Sequence, residues 1–160
     1  MLRAVLVALV TITACSPPSQ TADKGGAQST TIPVAAAQNI DPAAAPLVAI
    51  LTPAVSEEIG QPVSLQVTTA RVQDQWGWVI AQPRSPSGGQ VDWTQTKYAS
   101  RAEAGDLDGD GTTYALLQQQ RGVWVVRQFV IGPQDVAYMN WPERYGAPAA
   151  LMGIEAQTQK

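Results

Sequence analysis

The 160-residue chain has no histidine, one cysteine and one phenylalanine, and only 14% of its residues are charged. Without histidine it lacks the commonest general base and the commonest transition-metal ligand. A Ser-His-Asp or Cys-His nucleophile therefore cannot be assembled from this chain alone. A single cysteine, Cys15, excludes an internal disulfide framework. Ten Lys and Arg residues are scattered without a run among thirteen Asp and Glu. Nucleic acid needs a basic patch, so it is not an expected partner. The composition points to no cofactor.

The N-terminal sequence "MLRAVLVALVTITACS" carries one positive charge, Arg3, and then an apolar run from Ala4 to Ile12. That run is too short for a bilayer core, which takes about 20 residues, and it fits the apolar region of a secretory signal. It ends in Ile12-Thr13-Ala14-Cys15, which resembles the lipobox of bacterial lipoproteins. The resemblance implies a signal peptide over 1–14 and diacylglyceryl transfer to the Cys15 thiol. Cleavage would then leave Cys15 as an acylated N-terminus. The other reading is an ordinary cleaved signal with a cysteine nearby, but the bulk of Ile12 disfavours a cut after Ala14. One acyl chain holds only marginally, so stable anchoring needs more than one. Ser16, rather than Asp, follows the cysteine, which by the same resemblance implies the outer membrane of a two-membrane cell. The chain without its signal would carry nine basic and thirteen acidic residues, a net charge of −4.

Residues 15–40 read as the lipidated cysteine and a tether. Ser16 to Asn39 is rich in Ser, Thr, Gln, Pro, Gly and Ala, with no periodic apolar pattern. Such a segment cannot bury enough surface to offset its ordering entropy. As a coil it would span roughly 25–30 Å, enough to hold a domain clear of lipid head groups.

One α+β domain is expected over 41–154, followed by a disordered tail at 155–160. Residues Pro46 to Ile59 have helical spacing, with Leu47, Ile50, Leu51, Ala54 and Val55 on one face. Pro42 or Pro46 suits the first turn, and Gly60 suits the stop. Pro53 is expected to kink this helix, and Glu58 falls within its apolar arc. Strand alternation follows through Val63, Leu65, Val67 and Thr69, and again through Trp76, Trp78 and Ile80. "TTYALLQQ" and "GVWVVRQFVI" form a hairpin that turns at Arg121-Gly122. A short closing helix is expected over Val136–Asn140, capped by Asp135 and stopped before Pro142. The sum is one N-terminal helix packed on a four-stranded antiparallel meander with a short C-terminal helix. Cystatin-like and NTF2-like folds share that layout, which carries no function by itself.

The stretches "LTPAVSEEIGQPV", "GGQVDWTQTKY" and "GVWVVRQFVIGPQDVAYMNWPERYGAP" together resemble a small domain of uncharacterised exported bacterial proteins. Its marks are a Gly-x-Pro-Val turn after the helix, a Gly-Gly-x-x-Asp loop and an Ile-Gly-Pro-x-Asp-Val tail. The resemblance implies a fold unit and an exported location, and supplies no catalytic residues.

Two segments carry site candidates. In "GDLDGDG", Asp106, Asp108 and Asp110 have the spacing of the first half of an EF-hand loop. The twelfth position is Leu117, which cannot ligate calcium. A weak non-EF calcium site and a plain solvated turn both remain open. The long connection Pro83–Gly111 exceeds the usual loop length, a common mark of function. It holds Asp92, Trp93, Tyr98 and Arg101: rings that offer stacking surface and charges that offer direction. The alternative is that Trp93 and Tyr98 only staple the loop to the sheet. Three function classes follow. The first is a lipid-anchored, non-enzymatic binding or accessory module of the bacterial envelope, with an envelope protein or a glycan as partner. The second is a glycan-acting enzyme using carboxylates of the 92–110 region. The third is a calcium-dependent structural or adhesion module.

Overall fold

The sheet is a meander whose first and last hairpins are written locally, at Asp74-Gln75 and Arg121-Gly122, while a long connection joins its two middle long strands. The computed structural model describes residues 39–154, so Cys15, the lipobox, most of the tether and the tail at 155–160 lie outside the described residues. The strands are β1 (Asn39–Ile40), β2 (Ser64–Gln73), β3 (Trp76–Arg84), β4 (Thr113–Gln120) and β5 (Val123–Ile131). They lie side by side in the order β1-β2-β3-β4-β5. The four long strands pair antiparallel, as the alternation implies. Between β4 and β5, Arg121 and Gly122 both take positive φ, 53° and 82°. That is the backbone of a type I′ turn, whose twist matches the flanking strands.

Helix α1 (Ala45–Ile59) follows a 3-10 turn at Pro42–Ala44 and ends at Gly60, whose φ of 91° suits a residue without Cβ. Leu47, Leu51, Val55 and Ile59 recur every four residues and are fully buried, while Ile50 and Ala54 flank this stripe half-buried. The helix runs through Pro53, which stands exposed, so water can reach the carbonyl that the proline leaves without a donor. Glu58 is exposed too and is not part of the core.

Alternation along the strands divides the core into two clusters. Val79, Ala81, Ala115 and Leu117 face α1. Trp76, Trp78 and Leu116 face the other way, towards Trp141, Ala147, Leu151 and Met152. The sheet is thus covered on both faces. The second cover is largely aromatic: Trp78 lies edge-on to Trp141 at 5.9 Å, and Tyr138 stacks on Tyr114 at 4.9 Å. Such pairs add to simple area burial.

Three elements differ from the sequence expectation. The closing helix α3 spans Trp141–Tyr145 rather than 136–140, and Pro142 sits in its first turn instead of stopping it. A proline costs no hydrogen bond there, because that N–H has no acceptor within the helix. Asp135 Oδ1 accepts from the neighbouring Val136 N–H at 2.6 Å, but a turn and not a helix follows, so it caps none. Asn39–Ile40, expected in the tether, pair parallel with Thr69–Ala70 of β2. Finally, β3 continues through Pro83, which is buried, so the long connection begins one strand-end later.

Candidate functional site

The connection from β3 to β4 holds a 3-10 turn at Trp93–Gln95 and a short helix, α2 (Ala99–Glu103). Three fastenings place it. Trp93 is half-buried against the α1-side core, and its ring covers Gly111 so closely that a methyl group there would overlap it. Lys97 crosses to the end of α1: its N–H donates to the Ile59 carbonyl at 3.1 Å and its Nζ to the Glu57 carbonyl at 2.7 Å. A cation on unpaired C-terminal carbonyls is favoured by the helix dipole. Arg101 reaches the end of β5: Nη1 donates to Ile131 O at 3.4 Å, and Nη2 to Asp106 O at 2.9 Å and Gly132 O at 3.3 Å.

Tyr98 lies between the last two fastenings. Its hydroxyl donates to Glu58 Oε1 at 3.2 Å, and the Arg101 guanidinium sits 5.4 Å from its ring centroid. Burial, then the Glu58 charge and its hydrogen bond, push the Tyr98 phenol up to about 12, against a smaller opposing pull from Arg101. The hydroxyl is therefore a neutral donor at ordinary pH.

Beside these residues runs a groove of about 500 Å³, bounded by Glu58, Tyr98, Arg101 and the stretch Val126–Ile131 of β5. Val126 and Phe129 belong to the α1-side core but are only partly covered by it. The groove thus has a mixed lining, more polar than apolar, in which Val126 and Phe129 are apolar members and Glu58 is the one carboxylate.

The sequence candidates are divided by this geometry. Tyr98 and Arg101 come together on the groove. Trp93 lies edge-on to Tyr98 at 6.0 Å but does not line it. Asp92 is exposed and caps the 3-10 turn, accepting from Thr94 N–H at 3.1 Å and Thr94 Oγ1 at 2.6 Å. Glu58 and Arg127 were not among the candidates. Their signals were an acid within an apolar helical arc and a lone charge inside "VWVVRQFVI".

Asp106, Asp108 and Asp110 do not converge. Among the described residues, no group of three or more acids or cysteines could hold a metal ion. For the calcium-loop candidate the described residues show no clustered carboxylates, and Leu107 is what fixes the segment. It is buried and packs so tightly on Gly132 that a methyl group on Gly132 would overlap it. Asp108 N–H donates to Gly132 O at 3.1 Å, and the Asp110 carboxylate accepts from Gln82 Nε2 at 3.3 Å. The segment is a turn pinned by its apolar member. No family profile, curated protein or solved structure matches this chain.

Proposed function

We propose that the chain is a lipid-anchored protein of the bacterial envelope whose folded part acts as a binding module through the Tyr98–Arg101 groove. The observation that carries the binding half is the groove itself. Separate parts of the sequence (the end of α1, the 98–101 segment and β5) are fastened together around a partly apolar trough. Apolar surface with a few fixed polar groups is the general form of binding sites. A single carboxylate in the lining is short of the pair that glycoside hydrolysis requires.

The anchoring half rests on Ile12-Thr13-Ala14-Cys15 after a short apolar run. Its expected consequence is incorporation of an azido fatty acid into the wild-type chain and none into Cys15→Ser. Absence of label on the wild type would refute the anchor. For the binding half, the full chain is used to capture partners from envelope extract beside a Tyr98→Ala, Phe129→Ala double variant. The partner should be lost from the variant while its circular dichroism stays native. Equal capture by both would remove the groove from the reading.

A further inference from the structure

The two edges of the sheet are built differently. The β2 edge alternates polar residues with apolar ones, and β1 pairs with part of it. The β5 edge has neither protection. Among the described residues β5 pairs only with β4, and seven of its nine residues, "VWVVRQFVI", are apolar. Yet only Ile131 is buried, and Val123 is 62% exposed. Long apolar edges invite another strand, and proteins blunt them with prolines, charges, bulges or a covering segment; β5 carries one bulge and one charge, both at Arg127.

One charge interrupts this edge. Leu116 pairs with Gln128 and Leu117 with Val126, so Arg127 is the extra residue of a β-bulge with no partner on β4. Bulges re-aim a side chain away from the regular pleat. Arg127 is exposed and lines the groove. The donors on both Arg101 terminal nitrogens already serve carbonyls of the protein. Arg127 makes its aromatic contact with Tyr145, 5.8 Å away. The described residues carry seven basic and eleven acidic side chains, yet two arginines and one glutamate line this groove.

The geometry points to an acidic, otherwise apolar peptide that binds in extended form as an added strand along β5, with a carboxylate on Arg127. This inference rests on the reading of the groove as the binding face. Strand addition supplies main-chain hydrogen bonds, and alternate side chains of the guest would meet Val126 and Phe129 in the groove. The charge selects the guest. Two β5 edges meeting antiparallel about their middles would bring two Arg127 side chains close together, whereas a guest Asp or Glu neutralises Arg127. A carboxylate–guanidinium pair can also be bidentate.

The probe is a displayed library of random twelve-residue peptides, selected on the full chain and in parallel on Arg127→Glu. Enriched peptides from the wild type should alternate apolar residues around an Asp or Glu. They should lose about tenfold or more in affinity for Arg127→Glu, the usual weight of a charge-assisted contact. They should slow hydrogen exchange at β5 amides. N-methylating alternate backbone nitrogens of the guest should abolish binding. Selection on Arg127→Glu should enrich Lys or Arg instead. No enrichment, enrichment without acids, protection away from β5, or tolerance of N-methylation would each overturn strand addition. A concentration-dependent dimer of the free chain, lost on Val126→Lys, would overturn it in favour of a second copy. In any of these cases, loss of envelope capture by the Tyr98, Phe129 double variant would leave the broader binding reading intact.

Discussion

The half-buried Tyr98 hydroxyl donates a hydrogen bond to Glu58, and its pKa is pushed up to about 12, with burial the largest cause. A phenol whose folded pKa exceeds its ordinary value of 10 holds its proton more tightly in the native state. Its contribution to stability is therefore complete below pH 10 and fades as pH climbs towards 12. Ultraviolet titration of the phenolates should show a late-titrating tyrosine that Tyr98→Phe removes. Glu58→Gln should bring that transition down, though still above 10, because burial persists. A titration unchanged by Tyr98→Phe would contradict the contact. Trp93 makes a different claim. Because its ring covers Gly111 and packs on the core, Trp93→Ala should destabilise the fold by about 2–4 kcal/mol, near the lower end for buried tryptophans. Urea unfolding measures this; a loss within about 0.5 kcal/mol, the usual surface range, would return Trp93 to the list of ligand contacts.

At the scale of elements, Leu47 of α1 covers Gly77 of β3. A Cβ on Gly77 would lie 2.6 Å from Leu47 Cδ1, and Leu47 is fully buried with little room to retreat. Gly77→Ala should cost about 1–3 kcal/mol as overpacking, and Leu47→Ala about 2–5 kcal/mol as a cavity. Together they should cost clearly less than their sum, since the new methyl occupies vacated space, with a coupling of order 1–2 kcal/mol. Additive costs in a denaturation series would mean that the helix does not sit here.

The same elements explain what could be read in advance. The four-residue stripe of α1, the Arg121-Gly122 turn and the period-two strands are local patterns, and each appears where the sequence places it. Pro142 misled because a proline serves equally to end one helix or to start another. β1 was hidden because a two-residue strand has no period to detect. The groove was only half legible. Tyr98 and Arg101 stood out in a long loop, but Glu58 joins them across 40 residues through a hydrogen bond. The bulge that frees Arg127 is a property of the β4–β5 register. Neither feature is local, so no window of sequence displays it.

At the scale of the whole described domain, a sheet covered on both faces leaves its own edges uncovered. β1 and polar alternation blunt one edge, and the groove opens along the other. On the proposed reading, the lipid at Cys15 would fix the module to a membrane, and the segment between would set how far this edge can reach. On the same reading, β5 is the working edge in the cell. Photo-crosslinking tests it most directly, with a benzoyl-phenylalanine in place of Phe129 in the groove and, separately, in place of Gln66, exposed on β2. The account predicts a discrete adduct on illuminating intact cells from position 129 and none from position 66. Equal adducts from both positions, or an adduct from 66 alone, would contradict it.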